Sequence, residues 1–91
     1  MYQIIVKKQV LKFVEKQQKY IQENFNDWIK NQLPQTPETS NDGFMTNSLY
    51  QGLQVYKKRF GEFRALFTIC DTEIIVTVFD FDSRGQIYKK R

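Results

Sequence analysis

The C-terminal part of the chain holds side chains able to bind a phosphate backbone and stack on a base: Lys57, Arg59, Arg64, Arg84 and Tyr88. In Val55-Tyr56-Lys57-Lys58-Arg59-Phe60, strand alternation puts Val55, Lys57 and Arg59 on one face and Tyr56, Lys58 and Phe60 on the other. Gly61-Glu62 has glycine at the first central position, which suits a type II′ turn. If Phe60 pairs with Phe63 across that turn, Arg59 stands opposite Arg64, with Lys57 two positions along the same face. Like charges directly across a ladder weaken it by up to about 1 kcal/mol. An anion held between them would offset that repulsion; a solvated basic face would show the same residues. Downstream, Gly85 permits a tight turn that would return Arg84 and Tyr88 towards the cations. Arg suits bidentate phosphate contacts, and a Tyr ring can stack on an unpaired base.

Composition narrows the chemistry. The chain has no histidine and one cysteine, Cys70. That excludes an intramolecular disulfide, a Cys/His zinc site and every His-based catalytic arrangement. Asp71, Asp80 and Asp82 supply fewer ligands than a hard-metal site normally assembles, and read as turn and strand-end residues. No metal and no small-molecule cofactor are expected. The net charge is +4, split as six basic and five acidic groups in residues 1–50 and eight basic and five acidic groups in residues 51–91. The positive field thus sits towards the C-terminal half and favours a polyanionic partner. The longest apolar run, Ile74 to Phe79, is too short to span a bilayer, and Met1-Tyr2-Gln3-Ile4 lacks the features of a secretory signal. A cytoplasmic protein with no membrane association is expected.

The elements that must position these groups follow from periodicity. Tyr2 to Val6 reads as a strand. Val10, Phe13, Val14 and Gln17, then Tyr20, Ile21, Phe25, Trp28 and Ile29, recur at helical spacing, as two helices or one bent near Gln17-Gln18. Trp28 belongs to that buried stripe. Pro34 and Pro37 end the helical pattern, and residues 34–48 read as a polar loop pinned by Phe44 and Met45. Leu53–Phe60, Phe63–Ile69 and Glu73–Phe81 read as three strands, with Asp71-Thr72 as the second tight turn. Ile87-Tyr88 adds a short extended piece before Lys89-Lys90-Arg91. A single α+β domain over 1–91 is expected, with a helix hairpin packed on a mainly antiparallel four-stranded sheet whose edge is the first strand.

Two segments resemble the RelE/ParE superfamily of bacterial type II toxin–antitoxin toxins. Gly52 through Phe67 is similar to that family's basic hairpin run, and Phe81-Asp82-Ser83-Arg84-Gly85-Gln86-Ile87-Tyr88 to its closing segment. The N-terminal strand and helices fit in length and pattern. The resemblance implies a toxin, with the RNA-cleaving RelE-like branch favoured: a metal-independent endoribonuclease that cuts messenger RNA on the ribosome through the RNA 2′-hydroxyl. It implies catalytic roles for Lys57, Arg59, Arg64, Arg84 and Tyr88. The neighbouring cations Lys58, Lys89, Lys90 and Arg91 are expected to bind RNA. The implied partners are messenger RNA, the ribosome and a cognate antitoxin protein. Two other outcomes share the pattern: a ParE-type gyrase poison, and a non-catalytic RNA-binding module. Ser83 stands where many members carry a basic residue or histidine.

Overall fold

In the computed structural model, which describes residues 1–90, the order is β1 (Gln3–Val6), α1 (Lys8–Glu15), α2 (Lys19–Asp27), a π-helical turn (Trp28–Gln32), β2 (Phe44–Tyr50), β3 (Leu53–Phe60), β4 (Phe63–Cys70), β5 (Ile75–Ser83) and α3 (Arg84–Lys90). The sheet runs β1-β5-β4-β3-β2. β1 lies parallel to β5, and the remaining pairs are antiparallel. The α+β class agrees with the sequence. The sheet has five strands rather than four.

The helix hairpin forms for the reason its spacing predicts. α1 buries Val10 and Val14, and α2 buries Ile21 and Phe25. Neither helix has a side-chain N-cap or an acidic residue in its first turn. Their stability therefore comes from the buried stripe rather than from their ends. At the bend, Gln22 Nε2 donates to the carbonyls of Glu15 (3.1 Å) and Gln17 (2.7 Å). Trp28 is fully buried, as its position in the stripe predicts, and its indole N–H donates to the Ser40 carbonyl at 2.7 Å. Around it Phe25, Phe60 and Phe67 pack edge-on or tilted, with ring centroids 5.4–5.9 Å apart.

Three expectations are corrected. Residues 44–48 belong to β2, so the loop is shorter than the polar run. Met45 points inward while Phe44 and Leu49 stay exposed, Asn47 takes φ 58°, and the register to β3 shifts between Phe44 and Leu49. That broken alternation conceals a strand. The β4–β5 connection is four residues, Asp71 to Ile74, rather than the two of Asp71-Thr72, because Cys70 pairs with Ile75. Ile74 sits in it at φ 57°, a strained place for a β-branched residue. Ile87-Tyr88 is helical, not extended. Arg84 N donates to the Glu62 carbonyl at 2.9 Å, and Gln86 N to Ser83 Oγ at 3.4 Å, so the chain turns into α3 directly from β5.

β5 carries the irregularity that matters most. Leu66 pairs with Asp80 but Phe67 pairs with Val78, so Phe79 is an extra residue in the ladder. Up to Val78 the strand alternates into the helix-hairpin core. Beyond the bulge, Phe81 faces that core while Asp80 and Asp82 share the α3 side with Leu66 and Arg64. Asp80 is therefore a mid-strand residue rather than a strand-end one, and Asp82, next to the end of β5, shares its face. A second apolar cluster of Met45, Val55, Leu66, Phe79 and Ile87 lies under α3.

Candidate active site

The β3–β4 hairpin has the register that the sequence predicts: Phe60 opposite Phe63, Arg59 opposite Arg64, Lys57 opposite Leu66. Gly61 at φ 60° makes the turn. Lys57 and Arg59 thus lie on the α3 face, while Lys58 lies on the helix-hairpin face, 4.0 Å from Asp42. The Asp42 carboxylate also accepts the Arg59 backbone N–H at 2.8 Å.

α3 brings Arg84 and Tyr88, one helical turn apart, to Lys57. Lys57 Nζ donates to Tyr88 Oη at 3.4 Å, and the Arg84 guanidinium carbon stands 5.6 Å from the Tyr88 ring centroid. The Lys57 hydrogen bond above all, joined by the Lys57 charge and by the hydrogen bond and charge of Arg84, holds the Tyr88 phenol below its ordinary value of 10.0 against the opposing effect of burial. The ring is 45% exposed. A cleft of about 310 Å³ opens beside it, lined by Phe44, Met45, Thr46, Lys57 and Tyr88.

Arg64 lies apart from this cluster. Its guanidinium folds back on the hairpin, donating to the carbonyls of Gly61 (3.0 Å) and Phe63 (2.9 Å). Arg59 and Arg64 form a cationic pair at the hairpin end, and Lys57, Arg84 and Tyr88 a second group nearer the middle of the sheet. Lys90 is held by carboxylates, 3.2 Å from Asp80 and 3.0 Å from Asp82. Lys89 is exposed, and Arg91 lies outside the described residues.

The sequence did not reveal what Asp80 and Asp82 do, because strict alternation misassigns their face beyond an unseen bulge. It also averaged away a basic stretch. Residues 7–19 hold Lys7, Lys8, Lys12, Lys16 and Lys19 against the single acid Glu15, while the acids Glu23, Asp27, Glu38 and Asp42 balance them further on. Among the described residues no cluster of three or more potential ligands is placed to hold a metal ion. No described helix is long and apolar enough to cross a membrane.

A polarised phenol beside a lysine and an arginine can accept a proton from a hydroxyl while the two cations neutralise an adjoining phosphate. Comparisons with known proteins bear on family and fold. The model of the family described as the ParE toxin of the type II toxin–antitoxin system parDE matches residues 4–88. Among curated proteins none matches the chain. Among solved structures, the RelBE2 toxin–antitoxin complex of Mycobacterium tuberculosis superposes with a TM-score of 0.70 at 17% identity, covering 91% of this chain and 98% of that one. The isolated RelE toxin of Escherichia coli gives 0.69 at 16% identity, covering 99% and 94%. The archaeal RelE–RelB complex of Pyrococcus horikoshii gives 0.64 at 19% identity, covering 93% and 97%. At these identities the solved structures show the fold.

Proposed function

Because the chain belongs to the ParE toxin family of type II toxin–antitoxin systems, within the RelE/ParE superfamily, we propose that it is a toxin that cuts messenger RNA on the ribosome by metal-independent transesterification. The observation that carries this reading is the triad of Lys57, Arg84 and Tyr88, with its 3.4 Å Lys57–Tyr88 hydrogen bond and a phenol biased towards its ionised form. The RNA 2′-oxygen attacks the adjacent phosphorus, and its proton passes to the Tyr88 oxygen. Lys57 neutralises the crowded phosphate. Arg84 stabilises charge on the departing 5′-oxygen, which takes a proton from solvent. The products are a 2′,3′-cyclic phosphate and a 5′-hydroxyl, so no external reactant beyond the RNA is needed. Arg59 and Arg64 engage flanking phosphates, which requires the Arg64 side chain to leave its backbone carbonyls. Lys58 and Lys89 add diffuse attraction to the polyanion.

Two of the matched structures are complexes of a toxin with its antitoxin, and the net charge here is +4. Both support a cognate antitoxin as partner, an acidic or amphipathic protein. A second reading has its own support in the family match: a ParE-type toxin that poisons DNA gyrase and cuts no RNA. Induced expression followed by primer extension on a translated transcript separates the two. The first reading predicts breaks within codons in the wild type and none with Tyr88→Phe. Intact messenger RNA accompanied by double-strand DNA breaks would overturn it in favour of the second.

A further inference from the structure

α3 has seven residues, too few to persist as an isolated helix, so its orientation must be set by what fastens it to the sheet. Two faces of it matter. Arg84 and Tyr88, at i and i+4, meet each other, and Tyr88 reaches Lys57. Ile87 and Lys90, at i and i+3, point to β5 and the cluster beneath. Ile87 is 1% exposed among Met45, Val55, Leu66 and Phe79, and fixes the helix at one point. The bonds from Arg84 N to the Glu62 carbonyl and from Gln86 N to Ser83 Oγ tie the first turn, which leaves the far end to be fixed against rotation about Ile87.

Lys90 supplies the second point. Its ammonium lies 3.2 and 3.4 Å from the two Asp80 oxygens and 3.0 Å from Asp82 Oδ2. Asp80 is 7% exposed, and one of its oxygens also accepts the Phe81 backbone N–H at 2.9 Å, so the carboxylate is fixed in place. Both acids reach this side only because of the extra residue Phe79, since without the bulge alternation would send them into the helix-hairpin core. Gln9 of α1 donates to the Phe79 carbonyl at 3.0 Å, which braces the bulge from the far edge. A buried carboxylate is maintained against its desolvation only where a partner compensates it.

We propose that Asp80, Asp82 and Lys90 form a clamp that holds α3 in the rotation at which Tyr88 meets Lys57, and that they are positioning residues for the proposed site. Lys90 therefore works by fastening the helix rather than by binding substrate. The clamp gives the bulge a purpose: it turns a strand's acids under the far end of a helix otherwise held at its first turn and by Ile87. The effect on catalysis rests on the RNA-cleaving reading. The effect on Tyr88 does not.

The test uses the full chain with ring-13C-labelled tyrosine, the Tyr88 signal being assigned by its loss in Tyr88→Phe. In the wild type without RNA, Tyr88 titrates below its ordinary value. Lys90→Met is expected to return its midpoint towards an ordinary tyrosine and to lower the unfolding temperature, because it takes the ammonium away from the buried Asp80 carboxylate, so the titration is read well below that temperature. Lys90→Arg is expected to keep the wild-type midpoint. Asp80→Asn with Asp82→Asn is expected to match Lys90→Met. If burial of the carboxamides unfolds the protein, Lys90→Met and Lys90→Arg alone decide the matter. A Tyr88 midpoint that Lys90→Met leaves unmoved overturns the clamp. Cleavage assays are expected to show kcat lowered by about 10- to 100-fold in Lys90→Met with KM little changed, the scale of a misplaced catalytic group. Should the midpoint move while even the wild type cuts no RNA, the clamp stands and the RNA-cleaving reading falls.

Discussion

The two faces of the sheet are built on opposite plans. On the helix-hairpin side, Phe13, Phe25, Trp28, Phe60, Phe63, Phe67 and Phe81 meet ring to ring, and the apolar surface is continuous from α1 to β3. On the α3 side, only Met45, Val55, Leu66, Phe79 and Ile87 are buried together, and charged groups surround them: Lys57, Arg59 and Arg64 on the hairpin, Asp80 and Asp82 on β5. One face spends its side chains on cohesion. The other gives up cohesion to concentrate charge, and a seven-residue helix is a thin cover. Stability and chemistry are thus divided by a single layer of backbone, and substitutions on the two faces should separate them.

The strongest way to break that division is Trp28→Ala. It removes the largest buried side chain and strands the Ser40 carbonyl, and is expected to destabilise by about 3–5 kcal/mol. Against the total of about 5–15 kcal/mol typical of a small domain, this is a large fraction, read by denaturant unfolding. Tyr88→Phe should do the reverse. It removes only a partly exposed hydroxyl, so unfolding should be unchanged within error, while cleavage falls about 10²- to 10⁴-fold. A stability loss in Tyr88→Phe comparable to that of a core variant would erase the distinction between the faces.

Lys57→Met is next, with cleavage lowered about 10²- to 10³-fold by loss of charge at the phosphate. It should also raise the Tyr88 midpoint, since the Lys57 hydrogen bond is the leading cause of its depression. The sign is open to check. With the phenolate as proton acceptor, the wild-type rate should rise with pH and level off below pH 10.0, the ordinary tyrosine value, whereas Lys57→Met should level off later. A flat profile would assign Tyr88 to stacking instead. The smallest effect is expected far from both faces. Ile74→Asn, at φ 57° in the β4–β5 turn, exchanges a strained β-branched residue for one that tolerates the left-handed region, and should stabilise by about 1 kcal/mol without altering cleavage.

The helix-hairpin side was legible because its elements obey one period each: Val10 and Val14, Ile21 and Phe25, Phe60 and Phe67 all fall where spacing puts them. The hairpin register was legible too, since Gly61 fixes a two-residue turn and everything upstream and downstream follows from it. Irregularity defeated the reading elsewhere. The left-handed Asn47 and a shifted register hid β2 among polar residues. One inserted residue, Phe79, changed the face of every residue after it. The closing Arg84-Gly85-Gln86-Ile87-Tyr88 has too few residues for helical periodicity to register, so it read as extended. The identities of the candidate site residues were therefore visible, but the grouping was not. Arg64 and Lys57, neighbours by alternation, serve different ends of the hairpin, and Lys90 turns from solvent to Asp80 and Asp82.

The parallel pairing of β1 with β5 sets an order of assembly. Gln3 finds its partner in Ile75 and Val6 in Val78, across most of the chain, whereas β3, β4 and β5 meet through short turns. Contacts between distant segments form late, because chain closure must precede them. The meander can therefore assemble from its own neighbours while the N-terminal strand waits for β5. α3 follows β5 directly, so Arg84 and Tyr88 are made only after the whole of the meander. A nascent chain would carry a formed β3–β4 hairpin, with Lys57 in place, well before it carried a complete site.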